Sequence, residues 1–176
     1  MNKQNYKQLT KTAVILAAVF VVWFILDRIS KLYFDSGQFL LGQKISPSIL
    51  NIFHLTLVHN TGAAFGIFGN ATIVLGIIST IISIVLLALP FIFLKMQLSN
   101  KSNYSLTGMQ LFSVAIIAAG GIGNAIDRFI TGYVVDFICF DFIDFPVFNI
   151  ADIGVTCGIV ILLITMFISS YKTKEK

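Results

Sequence analysis

Four long apolar stretches limit what this chain can fold into more than any other feature of its sequence. They cover about residues 13–34, 71–94, 108–126 and 153–171, and each is near the roughly 20 residues that cross a bilayer core as a helix. Lipid offers the backbone no hydrogen-bond partner, so a helix is the structure expected of such stretches. Charged residues make up only 11% of the chain, against about a quarter in soluble domains. We therefore predict a membrane all-α protein with four transmembrane helices in one domain, residues 1–176.

The basic residues predict the orientation of these helices. Lysines precede the first span, lie between the second and third, and follow the fourth: Lys3, Lys7, Lys11, Lys95, Lys101, Lys172, Lys174 and Lys176. These segments fall on one side of a four-span chain, and an excess of Lys and Arg marks the cytoplasmic side. Both termini are then cytoplasmic. The net charge of +4 reflects this topology, and we predict no nucleic-acid partner.

The two outer connections differ in character. The first runs from about Asp35 to Asn70 and contains an alternating segment, Ile49–Val58, rich in β-branched and aromatic residues. This segment predicts a short strand or two on the membrane surface. The second runs from Asp127 to Asp152, and its stretch Phe137–Phe148 is either a flexible lid or anchor, or a simple aromatic belt. No internal repeat supports the plan of an inverted-repeat transporter.

Small residues predict close packing of the third and fourth spans. Ala115, Ala119 and Gly123 recur every four residues, and so do Gly154 and Gly158. Such faces let helices approach closely in lipid, which would bring together the carboxylates near their outer ends. The alternative is that small faces are common in membrane helices and specify nothing.

Asp136 and Asp152 are the candidate chemical groups, because each adjoins an otherwise apolar run at the membrane boundary. Carboxylates there are costly to desolvate and commonly have a function. Singly, each is most simply a helix cap or an ion-pair partner. Together, with Arg128 as the only cation expected nearby, they predict a pair that shares one proton and activates water.

Other kinds of site find no support in the sequence. It contains no His-Glu-x-x-His zinc motif, no Gly-x-Ser-x-Gly elbow and no phosphate loop. His54 and His59 are interpreted as interfacial polar residues, and Cys139 and Cys157 are too few for a disulfide framework or a thiolate metal site. We predict no metal and no cofactor.

Further polar residues adjoin the outer boundary. Asn124 and Arg128 are four apart on one helix face, and Arg128 is expected to pair with Asp127 or to bind the loop backbone. Asn149 either shares a face with Asp152 or caps the fourth helix. The remaining candidates are the loop residues Asn60 and Gly62 and the pair Asp27 and Lys31, expected to form an interfacial ion pair or a lipid-headgroup contact.

Five blocks of these residues resemble, in order and over nearly the whole chain, the lipoprotein signal peptidases, the type II signal peptidases of bacteria. The blocks are Asp27-Arg28-Ile29-Ser30-Lys31, Asn60-Thr61-Gly62-Ala63-Ala64-Phe65, Gly123-Asn124-Ala125-Ile126-Asp127-Arg128, Val134-Val135-Asp136-Phe137 and Phe148-Asn149-Ile150-Ala151-Asp152. The resemblance implies a membrane aspartic endopeptidase with a small extracytoplasmic β-sheet cradle. Such enzymes remove signal peptides from diacylglyceryl-modified prolipoproteins and cut before the lipidated cysteine.

The resemblance also implies roles for individual residues. Asp136 and Asp152 match the catalytic pair, and Asp27 and Lys31 match the first-helix motif. The positions that match polar groups orienting the pair and the substrate are Asn60, Gly62, Asn124, Arg128 and Asn149.

The implied enzyme is a monomer of the bacterial cytoplasmic membrane, with membrane lipids and prolipoproteins as partners and its site at the extracytoplasmic face. The chain departs from the family at Arg28, where Gln is frequent, and at Ile153, where a small polar residue is frequent. The second change removes a possible hydrogen bond beside Asp152.

A non-enzymatic membrane protein, such as a small proton-coupled carrier or an assembly subunit, is the competing interpretation. Carriers place their ionisable residues near the bilayer midplane. Here these residues cluster at one boundary, which favours hydrolysis at the membrane surface.

Overall fold

The computed structural model describes residues 3–62, 71–99 and 106–174. The elements, in chain order, are α1 (Lys3–Phe34), β1 (Phe53–Asn60), α2 (Thr72–Leu98), α3 (Gly108–Ile130), β2 (Val134–Phe140) and α4 (Ile150–Lys174). The four helices are long and apolar enough to cross a membrane, and the strands form a two-stranded antiparallel sheet. The predicted fold class is therefore confirmed. The motif residues Ala63, Ala64 and Phe65, and the basic residues Lys101 and Lys176, lie outside the described residues.

The helix α3 lies at the centre of the bundle. It packs against α1, α2 and α4, and most of its length is buried, whereas the other three helices expose long apolar faces. This helix begins at a capping box, in which Thr107 accepts from the Gln110 backbone and the Gln110 side chain accepts from the Thr107 backbone. It continues to Ile130, so Asp127 and Arg128 lie on the helix and not in the outer connection.

Glycines set the distance between α3 and its neighbours. A Cβ on Gly154 would overlap the Trp23 ring and approach the Ile116 carbonyl, and one on Gly158 would overlap Ile117. The predicted small face of the fourth helix is thus confirmed. Gly123 has a different neighbour, because a Cβ there would overlap the carboxylate of Asp27 on α1.

The sheet joins the two outer connections. β1 pairs with β2 so that Val58 lies opposite Asp136 and Asn60 lies opposite Val134, with an irregularity between Leu55 and Val58. The strand predicted within Ile49–Val58 is present, but it begins at Phe53 and ends at Asn60. Its partner comes from the second connection and not from the first.

The first four residues of the stretch Phe137–Phe148, predicted as a lid or anchor or as an aromatic belt, belong to β2. Phe137 is only 3% exposed, and its ring stacks on that of Phe34 with centroids 4.2 Å apart. The lid interpretation is therefore wrong for the part of the stretch within β2. Phe142 and Phe145, beyond the strand, are exposed.

Candidate active site

Two asparagines bring Asp136 of β2 and Asp152 of α4 to one place. Asn149 donates through Nδ2 to Asp136 Oδ1 at 2.7 Å, and Asn124 donates through Nδ2 to Asp152 Oδ1 at 2.8 Å. The two amides also contact each other, because Asn149 Nδ2 lies 3.1 Å from Asn124 Oδ1. Asn149, Asn124 and Asp136 are buried, and Asp152 is half-buried. The carboxylates thus lie at the two ends of a short chain of side-chain hydrogen bonds.

Asn149 has this position because it begins α4. Its Oδ1 accepts from the Asp152 backbone N–H at 3.0 Å, and Asp152 Oδ2 accepts from the Asn149 backbone N–H at 3.0 Å. This reciprocal arrangement satisfies two N–H groups that a helix N-terminus leaves free. The N-cap alternative for Asn149 is confirmed. The cap uses its Oδ1 and leaves its Nδ2 for Asp136.

Asn60 holds the second oxygen of Asp136. Its Nδ2 donates to Asp136 Oδ2 at 2.9 Å, and its Oδ1 accepts from the Gly62 backbone N–H at 3.0 Å. Arg128 links the Gly62 loop to α3. Its Nη2 donates to the Gly62 carbonyl at 3.1 Å, and its Nη1 donates to the Asn124 carbonyl at 3.3 Å. Arg128 therefore binds the loop backbone, one of its two predicted roles.

Lys31 lies inside the site and not at a lipid interface. It is 2% exposed and Asp27 is fully buried. Its Nζ lies 2.7 Å from Asn124 Oδ1, 2.8 Å from Asp127 Oδ2 and 3.1 Å from Asp27 Oδ1. The ammonium thus donates one hydrogen bond and lies in ion-pair contact with two carboxylates. The expectation of an interfacial pair is wrong, and Arg128 is not the only cation near the carboxylates.

Arg28 also belongs to the site, although the sequence did not assign it there. Its Nη1 lies 2.7 Å from Asp127 Oδ1, and its Nη2 lies 2.9 Å from Asp27 Oδ2 and donates to the Gly123 carbonyl at 3.1 Å. Asp127 therefore pairs with α1 and not with Arg128. The adjacent carboxylate of Asp27 was the one sequence signal for this role.

Comparison with known proteins then decides the family. Residues 19–168 match the family model described as signal peptidase (SPase) II. The chain belongs to the signal peptidase II family. This family membership makes it a protease.

Relatives in several bacteria agree over most of their length. The chain is 42% identical over 150 residues to the lipoprotein signal peptidase of Nostoc punctiforme, covering 85% of this chain and 87% of the relative. It is 34% identical over 169 residues to the lipoprotein signal peptidase of Brevibacillus brevis, covering 91% and 97%.

Solved structures give the same result for the fold. A structure described as a bacterial membrane enzyme superposes with a TM-score of 0.72 and 29% identity, covering 92% of each chain. Another of the same description gives 0.68 and 30%, covering 86% of this chain and 91% of the other. Together with its four apolar helices, these neighbours identify this signal peptidase II family member as a multi-pass membrane protein.

Burial strongly raises the pKa of the Asp136 carboxyl group in this signal peptidase II family member. Desolvation and then the charge of Asp152 raise the pKa of Asp136 to about 7, against the opposing effects of Asn60, Lys31 and Asn149. A raised pKa means that the proton is retained up to neutral pH. Near pH 7, Asp136 is therefore divided between its protonated and ionised forms.

Both carboxylate oxygens of Asp152 already accept a hydrogen bond, although the next residue is the apolar Ile153. Asp152 Oδ1 accepts from Asn124 and Asp152 Oδ2 accepts from the Asn149 backbone. The hydrogen bond that a small polar residue at 153 would add is therefore not required to hold the carboxylate.

The histidines lie outside the carboxylate pair. His54 Nδ1 lies 2.7 Å from Asp141 Oδ1, and His59 Nε2 lies 2.7 Å from Asp35 Oδ1. Within residues 3–62, 71–99 and 106–174, no three His, Cys, Asp or Glu side chains are placed to hold a metal ion.

Proposed function

We propose that this protein is an aspartic endopeptidase that removes signal peptides from diacylglyceryl-modified prolipoproteins and cuts before the lipidated cysteine. The names of its relatives, lipoprotein signal peptidases, support the substrate class. The hydrogen-bonded chain from Asp136 through Asn149 and Asn124 to Asp152 is the observation that carries the proposal. It anchors the two carboxylates in one site, which supports a division of acid and base roles between them.

Hydrolysis would divide two roles between the carboxylates. The ionised member takes a proton from a water molecule, whose oxygen attacks the carbonyl carbon of the scissile peptide. The protonated member donates its proton to the carbonyl oxygen. Collapse of the tetrahedral intermediate breaks the C–N bond as the proton taken from water passes to the leaving amine, and one hydroxyl proton of the intermediate returns to the carboxylate that had protonated the carbonyl oxygen. The pKa of about 7 for Asp136 supports this division, because both protonation states are accessible at neutral pH.

Arg128 is suited to hold the substrate backbone or the developing oxyanion. Its Nε is buried and has no hydrogen-bond partner among the described residues, while its Nη atoms are fixed on backbone carbonyls. Its charge interacts with both Asp152 and Asp136. This cation beside the carboxylates would stabilise negative charge that develops on the substrate carbonyl oxygen.

A groove between α2, α3 and α4 offers a path for an acyl chain of the substrate. Its volume is about 330 Å³, and its lining includes Ile82, Ile117, Val155 and Ile159. Val155 is one helical turn from Asp152, so the groove approaches the carboxylates. Apolar chains in such a groove gain dispersion contacts while the headgroup side of the lipid stays at the boundary.

Mass analysis after incubation of the purified protein with a diacylglyceryl prolipoprotein tests this function. We expect release of the signal peptide with the lipidated cysteine as the new N-terminus. Asp136→Asn and Asp152→Asn should each lower the rate by about 10³-fold or more, because each removes an acid–base group. Both variants should remain inserted and folded.

Asp144→Asn is the matched control, because Asp144 is exposed in the same outer connection. It should cleave at the wild-type rate. Retained cleavage by either Asp136→Asn or Asp152→Asn would refute the pair as the catalyst, and absence of cleavage by the wild type would refute the substrate.

A further inference from the structure

We propose that Arg28 is a positioning residue that sets the protonation of the Asp136–Asp152 pair by neutralising Asp27 and Asp127. The inference rests on the proposed function, because it concerns the reaction that this pair performs. Arg28 contacts neither Asp136 nor Asp152 in any described hydrogen bond or ion pair, so it acts through the network beneath them.

The contacts of Arg28 join α1 to α3 directly behind the pair. It binds Asp27 and Asp127 at 2.9 and 2.7 Å, and it also donates to the carbonyl of Gly123. The next residue of α3, Asn124, donates to Asp152. Asp27 accepts in addition from the backbone N–H of Ala151 at 3.2 Å, so one of the two carboxylates that Arg28 holds binds the residue immediately before Asp152.

Lys31 cannot replace Arg28 in this network. Its ammonium already pairs with one oxygen of each carboxylate, Asp27 Oδ1 and Asp127 Oδ2, and donates to Asn124 Oδ1. Arg28 takes the other oxygen of each carboxylate, Asp27 Oδ2 and Asp127 Oδ1. The planar guanidinium suits this bridging, because it presents several donors in a fixed fork.

The charges of the cluster balance only when the pair holds one proton. Among the described residues, α1 supplies Asp27, Arg28 and Lys31, α3 supplies Asp127 and Arg128, β2 supplies Asp136 and α4 supplies Asp152. Four carboxylates therefore face three cations, and one proton on the pair makes the net charge zero. Loss of the Arg28 charge would leave the cluster with one negative charge more.

The sign of the effect follows from this balance. An added negative charge favours proton binding, so removal of the Arg28 charge should raise the pKa of Asp136. A higher pH is then needed to ionise the pair, and the acid limb of the activity profile should move upward. Loss of the Asp127 charge should move the same limb downward.

The experiment is to measure kcat/KM against pH for a lipidated prolipoprotein peptide. The wild type is compared with Arg28→Gln, Arg28→Lys, Asp127→Asn and the double variant Arg28→Gln/Asp127→Asn. We expect Arg28→Gln to move the acid limb upward by about half a pH unit or more, and Arg28→Lys to leave it near its wild-type position. The double variant restores the net charge, so its limb should return toward that of the wild type.

A purely structural role predicts other results. It would lower the rate of Arg28→Gln at every pH without moving the limb, and the double variant would be worse than either single one. Either result overturns the inference. If Arg28→Gln does not fold, the downward shift in Asp127→Asn decides the matter, and an unshifted limb there is equally negative. Failure of the proposed function is separate, because the wild type itself would then not cleave the peptide.

Discussion

Asn149 combines two tasks that most sites divide between residues. Its Oδ1 caps α4, and its Nδ2 donates to Asp136. An amide carries its acceptor and its donors on two different atoms, whereas an ionised carboxylate has no donor and a hydroxyl must donate and accept through a single oxygen. The identity of residue 149 therefore follows from its geometry.

The two tasks of Asn149 can be separated by substitution. Ser is about as good an N-cap as Asn, but it is too short to reach Asp136. We expect Asn149→Ser to keep the cap but to lose about 1–3 kcal/mol in the free energy of unfolding, because buried acceptors lose their donor, and to lose about 100-fold in kcat/KM, because Asp136 is no longer held in place. Thermal unfolding and peptide cleavage measure the two effects.

Asn149→Ala is the companion variant, because it removes the cap as well. It should lose about 1 kcal/mol more in the free energy of unfolding than Asn149→Ser, at a similar loss of activity. Equal activity of Asn149→Ser and wild type would show that the contact with Asp136 has no part in the reaction.

At the scale of elements, the position of α4 against α3 determines where Asp152 lies. Gly120 lies against the backbone carbonyl of Ala151, and a Cβ there would overlap that oxygen. Because the overlap is with backbone, α4 would have to move and could not merely change a rotamer. Ala151 immediately precedes Asp152, so the movement would reach the carboxylate.

Gly120→Ala tests this dependence, with Gly108→Ala as the matched control in the same helix. A Cβ on Gly108 would meet nothing within 4 Å. We expect Gly120→Ala to lose about 1–3 kcal/mol in the free energy of unfolding and to lower the cleavage rate. Gly108→Ala should retain both. Unchanged activity in a destabilised Gly120→Ala protein would separate helix packing from the geometry of the pair.

Sequence patterns predicted some of these elements and missed others for physical reasons. Long apolar runs and glycine spacing predicted the helices, since lipid leaves the backbone few choices. β2 was missed because its first four residues, Val134–Phe137, are all buried, so the alternation that identifies a half-exposed strand is absent. Arg28 was missed because its long side chain reaches partners on another helix that no local spacing reveals.

At the scale of the whole molecule, the charged side chains of the site lie together at one end of the helix bundle. The ionisable groups of α1, α3, β2 and α4 meet where the helices reach the sheet. The lysine distribution predicts that this end is extracytoplasmic. Under the proposed function, a signal peptide would be removed there after its prolipoprotein has crossed the membrane.

Labelling of single cysteines in a background without Cys139 and Cys157 tests this orientation. Ser36 and Ser99 are both exposed, and they lie just beyond Phe34 of α1 and Leu98 of α2. We expect Ser36→Cys to react with a membrane-impermeant maleimide in intact cells, and Ser99→Cys to react only after permeabilisation. The reverse pattern would invert the predicted topology and place the carboxylates in the cytoplasm.

Because Asn149 both caps α4 and binds Asp136, folding of the helix and assembly of the carboxylate site depend on the same side chain. The Asn149 side chain is fixed by capping the first turn of α4. Before that turn forms, its Nδ2 is not held in position to donate to Asp136. The site and the first turn of α4 are therefore completed together.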